Sequence, residues 1–193
     1  NKGLETGVKL DATLSLSKKS RLHVGYQFSE TGISNTQDIS LPRFRSFRKD
    51  VLRTHNVFAN MEYMSEEKTT IVNVGARANY FTRFDRVLIE PRLSVHQKLG
   101  NGFAVEAMGE FKSQSTSQRV EFDSDFLGVE KRRWQLADND SIPILKSKQV
   151  SVGLHYNKNK LLISAEGYLK KVNGITRVEK VDTDKYQIYS PKG

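Results

Sequence analysis

The residues of this chain best suited to chemistry are charged and aromatic, and they fall in two kinds of place. One is a run between two regular segments: Asp123, Asp125 and Glu130, then Lys131, Arg132, Arg133 and Trp134, with Asp138 and Asp140 beyond. Guanidinium groups offer paired donors to an anion, and an indole offers flat apolar area. Arg132, Arg133, Trp134, Asp123 and Asp125 are therefore the candidate substrate-binding residues, on a long loop of the sort that carries recognition. The acids around the arginines could equally satisfy them internally. The other place is a set of charges inside otherwise apolar segments: Lys9, Asp11, Arg77, Glu90, Arg92, Glu106, Glu110, Glu166 and Lys170. They lie on the wet side of their segments. They can line a solute path, contact a filling domain, or neutralise one another along a wet wall.

Bond-making chemistry is not indicated. No Ser-His-Asp array, paired-carboxylate motif, phosphate loop or zinc signature occurs. His23, His55, His96 and His155 fall on separate segments without ligand spacing. Cysteine is absent, which removes disulfides, thiolate metal sites and thiol nucleophiles. No catalytic residue, metal or cofactor is expected, and the chain does not read as an enzyme. A barrel lipase would need a Ser, a His and a polar partner gathered at one edge.

The elements that carry these residues alternate in twos. Leu22, Val24, Tyr26 and Phe28 oppose His23, Gly25, Gln27 and Ser29; Val72, Val74, Ala76, Ala78 and Tyr80 oppose Asn73, Gly75, Arg77 and Asn79. Strand side chains alternate faces, so each segment has one oily and one wet side. The same pattern predicts strands at 4–16, 20–31, 50–64, 69–81, 87–98, 102–115, 148–157 and 160–172. Their length suits a tilted membrane crossing. Tight turns at Lys18–Ser20, Ser65–Lys68, Gly100–Gly102 and Asn157–Asn159 alternate with links at 32–49, 82–86 and 116–147. Short turns at one end and longer loops at the other are the habit of outer-membrane barrels. Aromatics sort likewise: Phe28, Tyr80, Phe81, Phe84 and Phe111 near the long-loop ends, Tyr63, Phe103 and Tyr156 near the turns. The fold class expected is all-β, an antiparallel up-and-down transmembrane β-barrel, present in part. By strand parity both termini fall on the long-loop side, which fits an internal piece of a longer protein.

Composition agrees. The 193 residues are 37% hydrophobic with a mean hydropathy of −0.56, and no run approaches the roughly 18 apolar residues of a spanning helix. Barrel strands are only about half apolar and escape hydropathy scans. The net charge of +9 is spread among 22 acids without a basic helix or a binding motif, so nucleic acid is not an expected partner. Anionic outer-leaflet lipid is.

Ile89-Glu90-Pro91-Arg92-Leu93-Ser94, preceded by Val74-Gly75-Ala76-Arg77, resembles the barrel half of TonB-dependent outer-membrane receptors. Asp123 to Trp134 and Leu169 to Ile175 resemble the Bacteroidetes type. The resemblance implies a barrel of about 22 strands, with a plug domain and an inner-membrane energy-coupling complex as partners, importing a scarce nutrient. Residues 1–193 would be one partial barrel domain, without plug, in the outer membrane. Arg77, Glu90, Arg92, Glu106 and Glu166 would then face the lumen. Two other readings stay open: a self-contained eight-stranded barrel with a structural or adhesive role, and a soluble β protein that binds a ligand. Arg77 and Glu90 are expected to oppose each other on adjacent strands.

Overall fold

A computed structural model describes residues 2–40, 43–121, 131–138, 142–175, 177–181 and 185–189. Its strands are β1 (Lys2–Ser15), β2 (Ser20–Ser40), β3 (Arg43–Met64), β4 (Thr70–Phe81), β5 (Arg86–Gly100), β6 (Phe103–Gln114), β7 (Thr116–Glu121), β8 (Lys131–Leu136), β9 (Leu145–Lys158), β10 (Leu161–Asn173), β11 (Arg177–Val181) and β12 (Lys185–Tyr189). Eight of them form one antiparallel sheet in the order β1-β2-β3-β4-β5-β6-β9-β10. The hairpins β7–β8 and β11–β12 stand apart from it as two-stranded sheets. The eight expected strands are these eight, to within a few residues at their turn ends. β1 and β10 do not pair, so the eight strands do not close into a small barrel of their own.

The turns follow from residues that accept a left-handed backbone. Asn159 and Lys160 have φ of 53° and 67° between β9 and β10, the conformation of a two-residue type I′ hairpin. Gly100, Asn101 and Gly102 turn β5 into β6 with φ of 94°, 50° and 87°.

Partners drift along the sheet. The line Ser20–Tyr63–Val72–Val95–Ala107–Val152–Gly167 starts at the first residue of β2 and ends at the seventh of β10. Such stagger accompanies strands tilted to a barrel axis.

Two sequence expectations change. Within the link at 32–49, residues 32–40 and 43–49 are paired strand: β2 and β3 run on together from Thr31↔Leu52 to Ser40↔Arg43. The loop at 116–147 contains the β7–β8 hairpin. Neither stretch alternates cleanly, because backbone pairing asks for no oily face where none is to be covered.

The two faces differ as their residues do. Val57, Val74, Ile89, Leu93, Val152 and Leu154 stand exposed on one. The buried core is small and lies on the other face, near the long-loop rim. There Ile33, Leu52 and Phe81 of the sheet meet Leu136, Ala137 and Ile144 at the foot of the β7–β8 hairpin, with Phe84 and Leu88 packed against them. Leu52 is only 1% exposed. The hairpin therefore folds over the charged face.

Candidate functional site: the charged face and its rim hairpin

Arg77, Glu90, Arg92, Glu106 and Glu166 share the face on which the hairpin packs. Register links them: Arg77↔Glu90, Gly75↔Arg92, His96↔Glu106, and Glu106↔Gly153↔Glu166. Arg77 and Glu90 are direct partners, as expected, yet their side chains part. Arg77 Nη2 donates to Gln27 Oε1 across 3.0 Å, while its buried Nε has no hydrogen-bond partner. Glu90, 7% exposed, turns toward β6 and accepts from the Ser113 backbone N–H at 2.7 Å and from the Ser113 hydroxyl.

That clasp has a backbone cause. The β5–β6 ladder ends at Arg92↔Glu110, while β6 continues along β9 as far as Gln114↔Leu145. Pro91, the next residue up β5, has no N–H to give, and proline is confined to unpaired strand positions. Above it β6 leaves β5, and the Glu90 carboxylate supplies Ser113 with the acceptor the ladder no longer provides. The chain then passes through Ser115, whose carbonyl accepts from the Ala137 N–H at 2.7 Å, into the hairpin.

Most charges of this face find partners on it. His23 Nε2 lies 3.0 Å from Asp11 Oδ2, and Lys9 Nζ 3.3 Å from Asp11 Oδ1. Arg21 Nε donates to Glu62 at 3.0 Å, His155 Nε2 lies 3.5 Å from Glu106 Oε2, and Lys112 Nζ 2.7 Å from Glu110. These contacts fit the wall of mutually neutralising charges. Arg92 and Glu166 are exposed. Among the described residues no three His, Asp or Glu side chains converge as metal ligands would.

The candidate binding run divides. Asp123 and Asp125 lie outside the described residues. Arg132, Arg133 and Trp134 lie in β8, as partners of Val120, Arg119 and Gln118. Trp134 is 43% exposed, and its carbonyl accepts from Asn35 Nδ2 at 3.3 Å. That bond and the apolar foot fix the hairpin to β2 and β3. No sequence pattern marks this foot, because Leu136, Ala137 and Ile144 follow no period.

On the oily face the rings gather in two groups. His55 sits among Tyr26, Phe28 and Tyr80, with centroids 6.1, 5.1 and 6.2 Å away. Near the turns Phe103 and Tyr156 are 4.7 Å apart. Phe81 and Phe84, expected in the outer group, lie on the charged face with the hairpin foot, 6.0 Å from each other. Alternation sends Phe81 to the side opposite Tyr80.

No protein-family model matches the sequence, and no curated protein does. Solved structures do match in fold. The siderophore receptor PirA from Acinetobacter baumannii aligns over 97% of this chain with a TM-score of 0.64 and 13% identity. A mutant of the ferric enterobactin receptor PfeA from Pseudomonas aeruginosa aligns over 92%, with a TM-score of 0.64 and 15% identity. The copper transporter OprC aligns over 90%, with a TM-score of 0.63 and 14% identity. This chain spans 31%, 27% and 31% of their respective lengths. The likeness is one of fold: this chain is a partial barrel of the kind those receptors contain.

Proposed function

We propose that this chain is a segment of the barrel domain of a TonB-dependent receptor in the outer membrane of a Gram-negative cell, one that imports a scarce nutrient such as a metal chelate. The oily face meets lipid. The charged face, with Arg77, Glu90, Arg92, Glu106 and Glu166, lines the lumen against a plug domain encoded elsewhere in the same protein. The plug in turn engages the inner-membrane energy-coupling complex. Trp134 and the arginines of β8 stand at the rim where a small-molecule substrate enters. The observation that carries this reading is the sidedness of an open eight-stranded meander. One broad face is exposed and apolar, the other is charged and covered at its rim by a hairpin.

The test uses the full-length protein in cells that possess the energy-coupling complex. Radiolabelled iron is supplied as ferric chelates, and radiolabelled copper in a parallel arm. A receptor is retained in the outer-membrane fraction and takes up one of these labels only while the coupling complex is present. Trimming the hairpin at 119–133, which leaves the apolar foot in place, lowers that uptake while insertion persists. A protein that stays in the aqueous fraction refutes the proposal. So does uptake indifferent to the coupling complex.

A further inference from the structure

The oily face carries one cluster that contact with acyl chains does not explain. Lys148 of β9 and Lys171 of β10 are direct cross-strand partners, and one pleat above them Lys146 stands opposite Asn173. All three lysines are exposed and lie on the side of Val150, Val152 and Leu169. Like charges directly opposed across an antiparallel pair repel. Among the described residues none of the three has an ion-pair partner, and the nearby acid Glu110 is taken by Lys112 on the other face. Arg53, the other cation at this level of the oily face, is paired with Glu30 at 2.7 Å. Among the described residues, the lysine cluster at this level has no counter-charge.

Its height is informative. Lys148 and Lys171 stand ten positions from the turn ends of their strands, Lys158 and Leu161, just as Tyr80 stands ten from Thr70. They are level with the outer group of rings, where headgroups begin. The Lys148 ammonium lies 4.9 Å from the centroid of its register partner Phe111, which holds the charge at that level. Below the cluster the same face is apolar and open: Val150, Val152 and Leu169 are 55%, 61% and 76% exposed.

The geometry points to a binding site for the phosphate headgroup of an anionic outer-leaflet lipid, formed by Lys146, Lys148 and Lys171 with Asn173 as a neutral donor. The inference rests on the membrane reading above. A lipid fits better than a free anion because the charged cluster continues directly into an apolar face along which acyl chains can lie.

The experiment places the full-length protein in nanodiscs of neutral phosphatidylcholine containing a small fraction of diphosphoryl lipid A. Lipid A retained after mild detergent release is counted by native mass spectrometry. The wild type is expected to retain it. Lys148→Gln or Lys171→Gln lowers retention about fivefold, and the double variant about thirtyfold. The charge-preserving pair Lys148→Arg with Lys171→Arg restores it. Retention weakens as ionic strength rises. Equal retention by the double variant overturns the site. Displacement of lipid A by millimolar inorganic phosphate overturns the lipid as occupant. A wild-type protein that does not enter the bilayer refutes the membrane reading and this site with it. One that enters but holds no more lipid A than the double variant refutes this site alone.

Discussion

Two glycines on the charged face serve as sockets for a neighbour's side chain. The Phe58 ring lies over its partner Gly25, and the Asn60 amide over its partner Gly75, so close that an added Cβ would strike either. Phe58 is steadied there by Lys9, 5.5 Å above its ring, and by the edge of His23, 5.2 Å away. Gly167, on the oily face, has nothing within 4 Å of an added Cβ. Gly25→Ala should therefore cost about 1–3 kcal/mol by overpacking, while Gly167→Ala should change stability by no more than about 0.5 kcal/mol. Urea titration of the full-length protein in micelles reads the difference. Equal midpoints for the two variants would mean that Phe58 moves aside freely. The alternation at Gly25 and Gly75 was visible in the sequence. That a cross-strand ring and amide fill the gaps was not, since glycine spacing says nothing of what lies opposite.

Each element tests one face of the sheet. Val152 is six positions from the turn end of β9, near mid-strand, and Val87 is the register partner of Tyr80 in the outer ring group. Val152→Arg should cost about 2–4 kcal/mol on refolding into lipid vesicles, and Val87→Arg about 0–1 kcal/mol. Equal penalties would remove lipid from that face. On the charged side Leu136 is 4% exposed against Ile33 and Leu52. Leu136→Asp should weaken closure of the hairpin by about 2–5 kcal/mol, and trypsin should then cut sooner at Arg132 and Arg133 while the sheet persists. An unchanged cleavage rate would mean that the foot does not hold the hairpin. These elements also mark how far the sequence could be read. Strands with one oily face, such as β4 and β9, were legible to within a few residues. The extensions of β2 and β3 beyond Thr31 and Leu52, and the hairpin itself, were not. The period of two is lost there. The same limit misplaced Phe81 and Phe84, whose aromatic character was read before their parity.

At the scale of the whole molecule, β1 and β10 are edges of 14 and 13 residues, each without a further strand partner among the described residues. Long bare edges template further pairing. Residues 1–193 alone should sediment as large oligomers in plain buffer and become dispersed only in detergent. A sharp monomer peak without detergent would favour a soluble β protein over a piece of membrane wall. The strand order has a further consequence, and it concerns time. Every neighbour in the large sheet is a neighbour in sequence, except at β6 and β9, which are separated by residues 115–144. Short-range hairpins close quickly, and a long intervening loop must first surrender its freedom. The wall should thus assemble as two blocks, β1 to β6 and β9 to β10, with the seam between them zipping last. In pulse-labelled hydrogen exchange during refolding, amides of the β6–β9 ladder such as Ala107 and Val152 would gain protection after those of β2–β3. Simultaneous protection would mean the blocks are no kinetic units. A late seam makes the loop that carries the rim hairpin the pacemaker of the wall's construction.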